Sequence, residues 1–183
     1  ELYHVTTDTR EPYRIYAAQQ DNTTIAFPSH SRWGAITQLD TTHVGGGESG
    51  YIAVRPDNPD IVFAGNFKGH ITRHDQSTGE NRPILVWPEE TATAGEGRYR
   101  FNWTSPILLS PHDPNVLYQA GNHVFRSTDE GQTWAYENRF ESIPAGAPWR
   151  PALEREAPAC HLQLAVVTVP PGRARRPTAP GAG

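Results

Sequence analysis

Two carboxylates, a guanidinium, an amide and an indole are the side chains best suited to chemistry. They are Asp21, between Gln20 and Asn22; Glu48, directly after Gly45, Gly46 and Gly47; and Arg100, Asn102 and Trp103, in the run Tyr-Arg-Phe-Asn-Trp at 99–103. A pair of carboxyl groups about 5 to 10 Å apart is the minimum equipment for glycoside hydrolysis, one acting as acid and the other as base or nucleophile. Arginine and asparagine hydrogen-bond hydroxyls, and an indole face covers the apolar side of a sugar ring. Asp21 and Glu48 are therefore the acid/base candidates, with Arg100, Asn102 and Trp103 as substrate contacts. Each has a plainer reading as well. Asp21 can cap its own turn, and the glycines before Glu48 suit a tight loop as well as a close ligand approach. Arg100 alternates with Tyr99 and Phe101 as on the solvent side of a strand, and Trp103 can pack in a core.

Other chemistries lack their residues. Eight histidines show no HExxH and no ligand spacing, so no metal and no cofactor are expected. The three glycines lead into no GxxxxGK[ST] sequence, and Ser49 does not sit in a Gly-x-Ser-x-Gly elbow. The net charge is -4, and fifteen of the sixteen basic residues are arginine, Lys68 being the exception. That balance argues against a nucleic-acid-binding domain, and no apolar run is long enough for a membrane span. The single cysteine, Cys160, cannot form an internal disulfide and leaves the redox compartment open.

The candidate residues need elements to hold them, and an internal repeat supplies these. Ile-Ala-Val-Arg-Pro-Asp-Asn-Pro-Asp-Ile-Val-Phe at 52–63 aligns with Ile-Leu-Leu-Ser-Pro-His-Asp-Pro-Asn-Val-Leu-Tyr at 107–118. Pro12, Pro59 and Pro114 are each followed four residues later by Tyr16, Phe63 or Tyr118, and six later by Ala18, Gly65 or Ala120. Four short strands per unit of about 50 residues, with Gly, Pro, Asn and Asp at the turns, is the pattern of a β-propeller blade. The fold expected is all-β, about three four-stranded blades at roughly 1–44, 45–98 and 99–143, the last incomplete. In an antiparallel meander successive turns alternate between the two ends. Residues 45–50 and 98–105, leading into the first strand of a blade, then share an end with the second turns at 20–22, 66–68 and 121–122. That places Asp21, Glu48, Arg100, Asn102 and Trp103 together, beside the innermost strands.

The stretch at 127–134 matches Ser-x-Asp-x-Gly-x-x-Trp, the Asp-box or BNR repeat, with Ser127, Asp129, Gly131 and Trp134 at its marked positions. Its physics is that of a turn: a carboxylate accepting turn N–H groups, a glycine at positive φ, and an indole anchoring the outgoing strand. Residues 75–79 look like a degenerate relative. Together with Tyr-Arg-Ile-Tyr at 13–16, Gln-Asp-Asn at 20–22, the glycine run at 45–50, 99–103 and Ser-Pro-His-Asp-Pro at 110–114, this stretch gives residues 3–134 a resemblance. They resemble bacterial BNR-repeat propellers of glycosyl hydrolase or sialidase-like type, with a sortilin N-terminal-type propeller. The resemblance implies a longer parent protein, extracellular or periplasmic, whose further blades would be partners of this segment. It also implies a carbohydrate ligand or, in the sortilin-type alternative, a peptide or protein ligand without catalysis. It carries no catalytic residue to transfer. Residues 13–16 are similar to the Phe/Tyr-Arg-Ile-Pro motif of sialidases but lack its proline, and the repeat places them in an ordinary second strand.

Composition changes near residue 143. From 144 to 183, 26 of 40 residues are Ala, Pro, Arg or Gly, and too few apolar side chains remain to offset the ordering entropy. This tail is expected to be unstructured, either as a genuine linker or as out-of-frame translation of a GC-rich gene. Glu1 at the start, the absence of methionine and the departure from the repeat after Trp134 all suggest a fragment.

Overall fold

The computed structural model describes residues 1–87 and 99–137. Their twelve strands form three four-stranded antiparallel sheets, and helix is confined to two 3-10 turns at Gln38–Asp40 and Phe67–Gly69. Sheet 1 contains β1 (Leu2–Thr7), β2 (Arg14–Gln19), β3 (Thr24–Pro28) and β4 (Thr42–His43). Sheet 2 contains β5 (Ile52–Val54), β6 (Ile61–Gly65), β7 (Ile71–Asp75) and β8 (Asn81–Pro83). Sheet 3 contains β9 (Ile107–Leu109), β10 (Leu117–Ala120), β11 (Val124–Ser127) and β12 (Ala135–Glu137). Each is an up-and-down meander in sequence order, so the fold is all-β, built from three blade-like sheets. The third unit is not incomplete. Its fourth strand begins directly after Trp134, because the turn at 127–134 is closed by its own hydrogen bonds and needs nothing beyond it to reverse the chain. The tail at 144–183 lies outside the described residues.

The repeat is a repeat of hydrogen bonds. Asp8 N donates to Arg14 O at 3.2 Å, Arg55 N to Ile61 O at 3.1 Å and Ser110 N to Val116 O at 2.9 Å, closing the first turn of each sheet identically. Residues 14–16 occupy β2 as the repeat required, with Tyr16 buried and Arg14 bonding Gln76 across the sheets at 2.9 Å.

The core lies between the sheets. Successive residues of a strand face opposite sides, and β6 is buried on both. Val62 and Ala64 pack with Tyr16 and Ala26 of sheet 1, while Ile61 and Phe63 pack with Ile107 and Leu117 of sheet 3. Sheet 2 is thus sandwiched between its neighbours, as its continuous apolar run requires. The first strands touch one another, β1 against β5 and β5 against β9, so loops leading into them converge.

The end holding the first and third turns of each sheet is stapled by charge. Arg10 Nη2 reaches Asp60 Oδ1 at 2.6 Å, joining sheets 1 and 2. The nearly buried Arg55 contacts Asp57 Oδ2 at 2.7 Å, Glu130 Oε1 at 2.9 Å and Asn115 Oδ1 at 2.9 Å, joining sheets 2 and 3. Arg73 adds a second bond to Glu130. Hydrogen bonding to the Arg55 guanidinium holds the Asp57 carboxyl below its usual range. Beside them Tyr16 donates to Asp8 Oδ2 at 2.8 Å, and burial pushes its phenol up to about 12.

Candidate functional site

The opposite end carries the residues singled out for chemistry. Asp21 heads the turn between β2 and β3 at φ 57°, a left-handed position that Asp tolerates better than most residues. Its N–H donates to Glu48 Oε2 at 2.9 Å, so the two acidic residues are neighbours on one face. The Asp21 side chain does not cap its own turn; it accepts a long 3.3 Å bond from Gln20 Nε2.

Glu48 is delivered there by glycines. Residues 45–50 run tightly over the end of sheet 2, and a Cβ on Gly50 would stand 2.1 Å from the Gly65 carbonyl oxygen. A Cβ on Gly46, at φ 61°, would stand 2.7 Å from the Ala64 Cβ. The glycines therefore serve close packing against the protein's own sheet, and Glu48 projects from the loop they permit. Asn66 completes its support: its Oδ1 accepts from Glu48 N at 3.2 Å and from Phe67 N at 2.8 Å.

Trp103 is 47% exposed and so is not core. One indole face stacks on Phe67, with ring centroids 5.3 Å apart and planes 12° from parallel. Its Nε1 donates to the Tyr3 hydroxyl at 3.2 Å, and Tyr3 donates in turn to Gln20 Oε1. Ser49 Oγ donates to the Trp103 carbonyl oxygen at 3.0 Å, tying the glycine loop to the aromatic one. Trp103, Tyr3, Gln20, Asp21 and Glu48 thus form one chain of hydrogen bonds across loops of all three sheets.

Asn102 and Arg100 are held differently. Asn102 Oδ1 accepts from Trp103 N at 2.8 Å, a local cap that sets the indole's position. Arg100 is anchored by its backbone, exchanging bonds with Asn122 at 2.9 and 2.7 Å, while its side chain is exposed. Lys68, at φ 58°, sets its Nζ 5.9 Å from the Phe67 ring centroid. Neither Lys68 nor Arg100 forms an ion pair with another described residue.

Phe67, Tyr3 and Lys68 were not among the expected contacts. The repeat puts residues 66–68 in a turn on this end, and an aromatic residue in a turn is the available signal for Phe67. Tyr3 gave none, since only packing brings β1 beside Trp103.

Ser127, Asp129, Gly131 and Trp134, the marked positions of the Ser-x-Asp-x-Gly-x-x-Trp pattern, lie at the stapled end, opposite this chemistry. Ser127 Oγ donates to Asp129 Oδ1 at 2.8 Å and accepts from Gly131 N at 2.8 Å, and Asp129 accepts from Thr133 N at 2.9 Å and Thr133 Oγ1 at 2.6 Å. These bonds, the Thr133 hydroxyl first, hold the Asp129 carboxyl down to about 2. Gly131 is at φ 79°. Trp134 anchors across sheets, donating to Ile84 O at 3.0 Å.

Among the described residues no three His, Cys, Asp or Glu side chains cluster as metal ligands would. No helix among them is long and apolar enough to cross a membrane. A cavity of about 450 Å³ lies elsewhere, lined by Gln19, Asn22, Ile25, Gln38, Thr41 and His43 on the outer side of sheet 1. None of the expected site residues lines it.

No family model matches the chain, and no curated protein matches it. Among solved structures it is similar to an auxiliary nutrient binding protein from Bacteroides thetaiotaomicron, with a TM-score of 0.45 and 17% identity. The match covers 74% of this chain and 31% of that one, so the chain spans under a third of that protein's length. The resemblance to BNR-repeat and sortilin-type propellers rests on the motif residues alone.

Proposed function

We propose that the end bearing Trp103 is a carbohydrate-binding face of a BNR-repeat type β-propeller segment, with blades at about 1–44, 45–98 and 99–143, working outside the cell or in the periplasm. The observation that carries this reading is the half-exposed indole stacked on Phe67 and joined by hydrogen bonds through Tyr3 and Gln20 to Asp21 and Glu48. Phe67 fixes the indole plane from one side, leaving the other for the C–H face of a sugar ring. Hydroxyls around that ring meet charged partners with spare capacity: the carboxylates of Asp21 and Glu48, the Arg100 guanidinium and the Lys68 ammonium. Charge-assisted bonds of this kind are the stronger ones.

Titration with a panel of polysaccharides and sialylated glycans, followed by tryptophan fluorescence and calorimetry, tests the reading. Trp103→Ala abolishes binding, while Trp33→Ala, at an indole 90% exposed on a remote loop, leaves it intact. Equal binding by both variants sinks the assignment of the face. Capture of peptides instead of glycans through Trp103 would establish the sortilin-type alternative.

The 2.9 Å bond between Asp21 N and Glu48 Oε2 favours a second reading, in which these two acids hydrolyse the bound glycan. Reducing-sugar release that disappears in Asp21→Asn and Glu48→Gln, with binding retained, would establish a glycosidase. Binding without release from any substrate leaves the face a binding site only.

A further inference from the structure

Three strand positions are equivalent in the repeat: Ala17, Ala64 and Gln119, each five residues after Pro12, Pro59 or Pro114. They lie on β2, β6 and β10, and all three are 0% exposed. Alanine fills the packed interior at the first two. At the third an amide is buried, and its Oε1 has no hydrogen-bond partner among the described residues. A buried unpaired acceptor costs stability that alanine would avoid, so packing alone does not account for Gln119.

The other atom of the amide does. Gln119 Nε2 donates to the Gly69 carbonyl oxygen at 2.8 Å and lies 3.5 Å from Ser105 Oγ. It therefore joins β10 to the two segments that carry the aromatic stack, the turn with Phe67 and the loop with Trp103. That turn does not hold itself. Lys68 and Gly69 are consecutive left-handed residues, at φ 58° and 75°, and a lysine keeps such a conformation only where its surroundings enforce it. Phe101 closes the space over Gly69, where a Cβ would stand 2.3 Å from the Phe101 Cγ. Phe67 is two residues from Gly69 and Trp103 two from Phe101, so the stack stands on this contact.

We propose that Gln119 is a positioning residue of the Trp103 platform: through the Gly69 carbonyl it fixes the turn at 66–69 and so keeps Phe67 parallel to the indole. The inference rests on reading Trp103 as the ligand platform, but the link it names can be measured without a ligand.

The indole N–H signals of the full chain, labelled with nitrogen-15, test it. The chain has five tryptophans, and the signals of Trp103 and Trp134 are identified by their loss in Trp103→Phe and Trp134→Phe. Gln119→Met keeps the length of the side chain and removes the donor. It shifts the Trp103 signal and leaves that of Trp134, bonded to Ile84 O at the opposite end, unchanged. In a Phe67→Ala background the same substitution no longer moves the Trp103 signal, because the stack through which it acts is gone. With the panel of polysaccharides and sialylated glycans, Gln119→Met weakens Trp103-dependent binding about fivefold, the worth of one hydrogen bond. An unmoved Trp103 signal, equal shifts of both signals, or a shift that persists without Phe67 overturns the proposal. So does a Trp103-dependent glycan whose affinity Gln119→Met leaves unchanged. Gln119→Ala, with the side chain of the two equivalent positions, repeats the test; loss of the fold in both variants makes Gln119 a core residue only and overturns the proposal as well. A panel that yields no bound glycan sinks the carbohydrate reading and leaves the indole signals to decide the role of Gln119.

Discussion

The two ends of the sheets are made from similar residues put to opposite uses. At the end with the turn at 127–134, Arg10, Arg55 and Arg73 are committed to carboxylates, and those bonds join sheet 1 to sheet 2 and sheet 2 to sheet 3. At the end with Trp103, Lys68 and Arg100 form no ion pair with a described residue, and the loops are joined by hydrogen bonds, one of them from Asp21 N to the Glu48 carboxylate, and by one aromatic stack. Charges that satisfy one another hold sheets together but have little capacity left for a ligand. Charges left unpaired at a surface contribute little to folding and remain available to bind. The stapled end thus permits the other to stay uncommitted.

The contrast predicts where substitutions hurt. Arg55→Ala should have the largest effect, about 3 kcal/mol lost in urea unfolding, because Glu130, Asp57 and Asn115 lose a nearly buried partner. An equal loss from Arg100→Ala would erase the difference between the ends. Gly50→Ala should follow, costing about 1 to 3 kcal/mol, since its Cβ would collide with the Gly65 carbonyl. Because that loop carries Glu48, ligand binding should fall with it, linking stability and function at one position.

Trp103→Ala should cost only about 1 kcal/mol, mostly the stack with Phe67, while removing glycan binding. A smaller effect is expected from acid. The Asp129 carboxyl sits at about 2 against an ordinary 3.8, so its contribution is complete above about pH 4 and is lost as pH falls toward 2. The stability gap between wild type and Asp129→Asn, followed by unfolding at a series of pH values, should close across that window. Lys68→Gly should give the smallest change and the opposite sign, a gain of up to about 1 kcal/mol from relieving φ 58°. Loss of ligand affinity alongside that gain would show a strained lysine kept for binding.

Much of the frame was legible because it is periodic. The spacing of Pro12, Pro59 and Pro114 from their aromatic residues marked three equivalent strands, and the alternation of turns placed Asp21, Glu48 and Trp103 on one end. The Ser-x-Asp-x-Gly-x-x-Trp pattern located a turn whose bonds lie within eight residues. What escaped was nonlocal. Tyr3 and Trp103 are a hundred residues apart, and Phe67 looked like any turn residue until sheet packing set it beneath the indole. The purpose of the glycines at 45–50 was equally hidden, since both readings need the same residues and only the distance to Gly65 separates them.

By itself the sequence determined the all-β class, the three units and the end on which each loop falls. These follow from local turn chemistry and a side-chain period of two, which a strand cannot escape. Only the tertiary structure decided which side chains meet: that Arg55 pairs with Glu130, that Trp103 rests on Phe67, and that Asp21 and Glu48 are neighbours. Those contacts depend on the offset and tilt of one sheet on the next, which the interlocking of Val62, Phe63 and Ile107 in the core sets and which no local pattern encodes.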